Sequence, residues 1–137
     1  MDRSSAETII RGYFAGNPED VICVWLFGSL ARDEPRPADI DVAVLYRHEQ
    51  PARLDSPRFH AASQLEERLG APVDLIDAAR APADLVHRVL RDGRLVVDHD
   101  PSRRIAFEVR SRNEYFDLEP IRSEYRRARG STRDRER

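Results

Sequence analysis

The chain has 137 residues, with 23 basic and 25 acidic side chains and a formal net charge of −2. That is one ordinary domain's length, without the excess of positive charge that marks direct nucleic-acid binding. All 23 basic residues are arginine, which excludes a P-loop lysine, a Schiff-base lysine and any catalytic lysine. The single cysteine, Cys23, rules out an intrachain disulfide and a cysteine metal cluster and fits a reducing, cytoplasmic setting.

Taken in chain order, Ser4 or Ser5 is suited to cap a first helix over about 6–15, with Ile9, Ile10 and Phe14 apolar. Gly16-Asn17-Pro18 ends it. Residues 21–27 are almost continuously apolar and β-branched or aromatic, which predicts a central buried strand. Gly28-Ser29 opens a short helix over Leu30–Glu34, and Pro35-Arg36-Pro37 forms a connection. Asp39–Tyr46 reads as a second strand. Ser56-Pro57 then caps a helix with Phe59, Ala62, Leu65 and Leu69 at helical spacing, stopped by Gly70. Pro72–Asp77 is a third strand, and Pro82 starts a helix with Leu85, Val86, Val89 and Leu90 on one face, stopped by Gly93. Leu95-Val96-Val97 is a fourth strand, and Asp100-Pro101 opens a long helix expected to bury Ile105, Val109 and Phe116 until Pro120 breaks or kinks it. A last helical piece carries Ile121, Tyr125 and Ala128 to about Arg129, and residues 130–137 read as a disordered, Arg-rich tail. Charge is uneven: residues 1–121 hold 16 Arg and 22 acids, whereas 122–137 hold 7 Arg and 3 acids. The alternation predicts an α/β or α+β protein, one mixed sheet of about four strands covered by helices. No stretch approaches the ~20 apolar residues of a membrane span.

The chemistry concentrates at the second strand. Asp39 and Asp41 are two apart, so on a strand they point to one face while Ile40, Val42 and Val44 anchor the other. Two adjacent carboxylates repel each other unless a cation sits between them, and hard oxygen ligands suit Mg²⁺ shared with substrate phosphates. The Gly28-Ser29 turn ahead of them allows close backbone approach to an anion, Ser29 adds a hydroxyl, and Arg32 offers a guanidinium to a phosphate oxygen. Taken alone, each is also an ordinary feature: a strand-to-helix turn, or acids at a solvated strand entrance. Asp74, flanked by Val73 and Leu75, shifts the balance, because it can complete a carboxylate triad and accept the proton of an attacking hydroxyl. Asp77 reads as a strand-end turn residue. His48, His60, His87 and His99 lack ligand spacing, and Ser29 has no His–Asp pattern around it, so neither a histidine metal site nor a serine hydrolase is expected.

Gly28-Ser29-Leu30-Ala31-Arg32, then Asp39-Ile40-Asp41-Val42-Ala43-Val44, then Val73-Asp74-Leu75-Ile76 resembles the minimal nucleotidyltransferases of the polymerase-beta superfamily. The resemblance covers about residues 5–128 and implies a nucleotidyltransferase fold over 1–129. The most similar subgroup comprises single-domain antitoxins that act on HEPN-domain ribonuclease toxins. The resemblance implies a cytoplasmic enzyme that transfers AMP from ATP to a toxin tyrosine, with the toxin as a hetero-oligomeric partner. It implies that Gly28, Ser29 and Arg32 hold the nucleotide, and that Asp39, Asp41 and Asp74 hold about two Mg²⁺ ions and activate the acceptor. The family commonly reads Gly-Ser-x-Ala-Arg-Gly, with Ser before the first metal aspartate. Here Asp33 stands at the last Gly and Ala38 at the Ser, and the link between turn and carboxylates is about one residue shorter. Two other readings stand beside this one: an antitoxin that neutralises by binding alone, and an adenylyltransferase acting on a small molecule such as an aminoglycoside.

Overall fold

A computed structural model describes residues 1–16, 19–34, 39–50 and 57–136. The elements run α1 (Arg3–Phe14), β1 (Val21–Phe27), α2 (Gly28–Ala31), β2 (Ile40–Tyr46), α3 (Pro57–Leu69), β3 (Val73–Asp77), α4 (Ala83–Asp92), β4 (Arg94–Asp98), α5 (Pro101–Asp117) and α6 (Glu119–Glu136). The strands form one mixed sheet in the order β3-β2-β1-β4, with β1 antiparallel to β2 and to β4, and β2 parallel to β3. This is the α+β sheet covered by helices that the alternating pattern predicts.

The central strand β1 is apolar on both faces because both faces are covered. Val24 and Leu26 join Val42 and Val44 in a cluster closed by Ala6, Ile10 and Phe14 of α1 and by Leu65 and Leu69 of α3. Trp25 joins Ala43 and Leu45 in a second cluster closed by Val86 and Val89 of α4 and Phe107 of α5. The pairing of β1 with β2 slips between Val21 and Cys23, and Ile22 and Cys23 both join the second cluster.

Several local expectations change. The cap of α1 is Asp2, not Ser4 or Ser5: the Asp2 carboxylate accepts from the Ser5 backbone N–H at 2.7 Å, which places both serines inside the helix. Strand β2 begins at Ile40, one residue after Asp39. Helix α2 starts at Gly28 and lasts a single turn. Asp100 caps α5 with Pro101 behind it, as read. However, Ile105 and Val109 are each 50% exposed and Phe116 is 61% exposed; the residue of α5 that enters the core is Phe107, at 6%. Its ring lies 6.0 Å from that of Trp25. Helix α5 ends at Asp117, with Leu118 as its C-cap, just before Pro120, but α6 continues to Glu136, where a tail was expected from residue 130. The Pro35-Arg36-Pro37 connection, Ala38, the Asn17-Pro18 helix stop and the Ser56 cap lie outside the described residues.

Candidate active site at the β1–α2 turn

The turn after β1 is built around one backbone conformation. Gly28 has φ +76°, in the left-handed region, and a Cβ added there would collide with the Asp41 carboxylate. Glycine at this position is therefore what allows Asp41 to stand against the turn. The antiparallel register sets Phe27 opposite Asp41, and the parallel register sets Asp41 opposite Asp74. Two of the three predicted carboxylates are thus neighbours on adjacent strands. Ile40, Val42 and Val73 belong to the α1/α3 cluster, so strand alternation turns Asp41 and Asp74 towards the α4 side of the sheet. Asp39 and Asp74 are exposed and Asp41 is half-buried. Burial first, then the charges of Asp74 and Asp39, raise the Asp41 carboxyl above the ordinary range, with Arg32 opposing them.

Phe27, Gly28, Ser29, Arg32 and Asp41 line a cavity of about 290 Å³ together with Leu85, Arg88 and Asp92 of α4. It combines apolar surface from Phe27 and Leu85 with two guanidinium groups and two carboxylates. The α4 residues lie outside the Gly-Ser and aspartate motifs, and no spacing in the sequence marks them as part of the site. They become part of it because α4 packs across the sheet face on Val86 and Val89.

The segment after the turn explains the departure at Asp33. Arg32 is the C-cap of α2, and Asp33 follows it with φ +58°. The Asp33 N–H donates to the Leu30 carbonyl and the Glu34 N–H to the Ser29 carbonyl, each at 3.0 Å. These two bonds form a Schellman closure, whose C′ residue must be left-handed and is usually glycine. Aspartate tolerates that conformation better than most residues. The glycine common in the resembling family thus has a backbone reason, and Asp33 fills the same geometry. Arg32 Nε and Nη2 donate to Glu34 Oε1 at 3.1 and 3.0 Å.

Asp77 closes the turn after β3, its Oδ1 accepting from the Ala79 N–H at 3.1 Å. His87 stacks on Tyr115 at 3.7 Å, and the His99 ring lies 3.1 Å from the Val21 carbonyl, so both histidines serve packing and turn structure. Among the described residues, no group of three Asp, Glu, His or Cys side chains is arranged to hold a metal ion. The donor chemistry still fits a hard cation shared with a substrate, because Asp41 is crowded by two further carboxylates whose repulsion a cation would relieve. Also among the described residues, no helix is long and apolar enough to cross a membrane.

The sequence matches the family described as Polymerase beta, Nucleotidyltransferase over residues 8–102. No curated protein matches the chain. Among solved structures, it is similar to a chain of a toxin–antitoxin with AMP-PNP, at 26% identity and a TM-score of 0.73, covering 87% of this chain and 94% of that one. A second similar structure is the tri-AMPylated Shewanella oneidensis HEPN toxin in complex with MNT antitoxin, at 24% identity and a TM-score of 0.71, covering 90% and 94%. A third is a minimal nucleotidyltransferase at 27% identity and a TM-score of 0.53, covering 69% and 95%.

Proposed function

Because this chain belongs to the polymerase beta nucleotidyltransferase family, we propose that it transfers AMP from ATP to a tyrosine hydroxyl of a HEPN-type ribonuclease toxin and so acts as that toxin's antitoxin. The observation that carries this reading is the Asp41–Asp74 pair, held on adjacent strands beside a left-handed Gly28 turn that opens into a cavity of mixed apolar and charged lining. The related structure with AMP-PNP supports ATP as donor, and the tri-AMPylated HEPN toxin complex, of the same fold, supports a protein acceptor.

In this reading, Gly28 and Ser29 receive the nucleotide's phosphates, and Phe27 and Leu85 offer apolar surface to its adenosine. Asp39, Asp41 and Asp74 would hold Mg²⁺, which neutralises charge on the phosphate oxygens and the leaving group. The acceptor oxygen forms a bond to the α-phosphorus while the bond from that phosphorus to the bridging oxygen breaks. Pyrophosphate leaves, and the hydroxyl proton passes to Asp74, the exposed member of the pair.

The test mixes the chain with a HEPN-type protein encoded beside it, ATP and Mg²⁺, and follows the partner by intact mass. One or more AMP units are expected on the partner, and none with the Asp39→Asn, Asp41→Asn double variant. An active toxin that gains no AMP overturns the proposal. A double variant that still protects cells fully at equal protein level selects neutralisation by binding alone.

A further inference from the structure

The cavity beside Gly28 contains two guanidinium groups, and they differ in what already holds them. Arg32 is bound through two donors to Glu34 Oε1, so engaging a phosphate means giving those bonds up. Asp92, the acid from α4, is itself held by Arg91 through two bonds at 3.0 and 2.9 Å. Among the described residues, no hydrogen bond or ion pair engages Arg88. Its backbone is fixed all the same. Val86 and Val89, at 6% and 2% exposure, set the rotation of α4. That rotation brings Leu85, Arg88 and Asp92, three and four residues apart, to the cavity as one stripe.

We infer that Arg88, outside the Gly-Ser and aspartate motifs, is the residue that grips the polyphosphate of the bound nucleotide, while Arg32 mainly steadies the turn through Glu34. The inference rests on the proposed nucleotidyltransferase function. A guanidinium that exchanges only water for phosphate gains more than one that must break an existing charge pair, and its planar fork can bond two phosphate oxygens at once. Arg88 lines the same cavity as the Gly28-Ser29 turn, so the nucleotide would lie between that turn and α4.

The experiment titrates the full chain, with Mg²⁺ and without an acceptor protein, with a fluorescent form of the ATP analogue AMP-PNP, and separately with fluorescent adenosine. Arg88→Gln should weaken the ATP analogue by roughly 10- to 100-fold, the range of a lost charge-assisted bond, and leave adenosine unchanged. Arg88→Lys should recover part of that loss, because an ammonium keeps the charge without the fork. Arg32→Gln should lose clearly less than Arg88→Gln. If the unmodified chain binds no ATP analogue, the nucleotidyltransferase reading fails and takes this inference with it. If the unmodified chain binds but Arg88→Gln binds as tightly, or weakens adenosine equally, or Arg32→Gln loses more, the assignment to Arg88 is overturned and the reading beneath it stands.

Discussion

Asp33 holds a left-handed conformation, φ +58°, that costs an ordinary L residue about 1–2 kcal/mol. It does so because the Schellman closure of α2 leaves no alternative at C′. Asp33→Gly should therefore leave stability unchanged or raise it by up to about 1 kcal/mol, the relieved strain being partly offset by the looser unfolded chain. Asp33→Val, β-branched in the same conformation, should lose about 1–2 kcal/mol. Urea denaturation midpoints of the two variants measure this, and a Val variant as stable as the Gly variant would show that the turn is not constrained. Asp41 carries the opposite kind of tension. Its carboxyl is raised by burial and by Asp74 and Asp39, so in EDTA the charge works against the fold. Asp41→Asn should raise thermal stability, by on the order of 0.5 kcal/mol after solvent screening, while abolishing AMP transfer. The aspartates and the Gly-Ser turn were legible in the sequence because each is a chemical type at a fixed spacing. The meaning of Asp33 was not, since a mismatch to a pattern does not reveal the φ angle behind it. Nor was Arg88, one arginine among 23.

Helix α5 shows how spacing identifies an apolar stripe without saying what it faces. Ile105, Val109 and Phe116 lie at helical intervals, yet the sheet receives Phe107. Arg104 explains the rotation: it pairs with Asp98 on β4 at 3.0 Å and with Glu108 at 3.1 Å, which presents Phe107 to Trp25. Phe107→Ala should cost about 3–5 kcal/mol, and Ile105→Ser or Val109→Ser should stay within about 0.5 kcal/mol. Equal losses in a denaturation series would mean the helix is turned the other way. The start of α5 adds a pH dependence. Asp100 Oδ2 accepts from Arg47 at 2.9 Å and Oδ1 from the Arg103 N–H at 3.2 Å. The Arg47 bond first, then the Arg103 backbone, holds this carboxyl below its ordinary value. A carboxyl depressed by folding stabilises the protein above its unfolded pKa, about 3.9, and loses that contribution as pH falls through the folded value. Asn caps a helix as well as Asp but cannot pair with Arg47. The melting temperature of Asp100→Asn should therefore lie below that of the unchanged chain at pH 6, and the gap should shrink as pH falls below about 3.9. A gap that persists in acid would assign the effect to the cap geometry instead of the charge.

At the scale of the whole molecule, the strands themselves were readable as four apolar runs, but their order was not. Nothing local in the β4 run Arg94–Asp98 announces that it pairs with β1 and not with β3. That pairing satisfies the free hydrogen-bonding edge of β1, a long-range outcome, and it leaves β1, like β2, contributing to both cores. Cys23 offers a direct way to test this dependence. It lies on β1, fully buried, paired with Leu45 of β2 and with Asp98 of β4. Burial above all, with the nearby charges of Asp98 and Glu108 adding to it and Arg104 opposing, pushes its thiol far above the ordinary range. Only the thiolate reacts with a disulfide reagent, so the folded state should be inert and modification should report opening alone. If the two cores open together through the strands they share, no partial opening exposes Cys23. Labelling with an aromatic disulfide should then begin at the same urea concentration as the loss of helical circular dichroism. Phe107→Ala, which thins one core by about 3 kcal/mol or more, should speed labelling in buffer by roughly 10²-fold or above. Labelling that precedes the dichroism change would show that the β1–β4 edge opens on its own, and that the two cores are separable units instead of one.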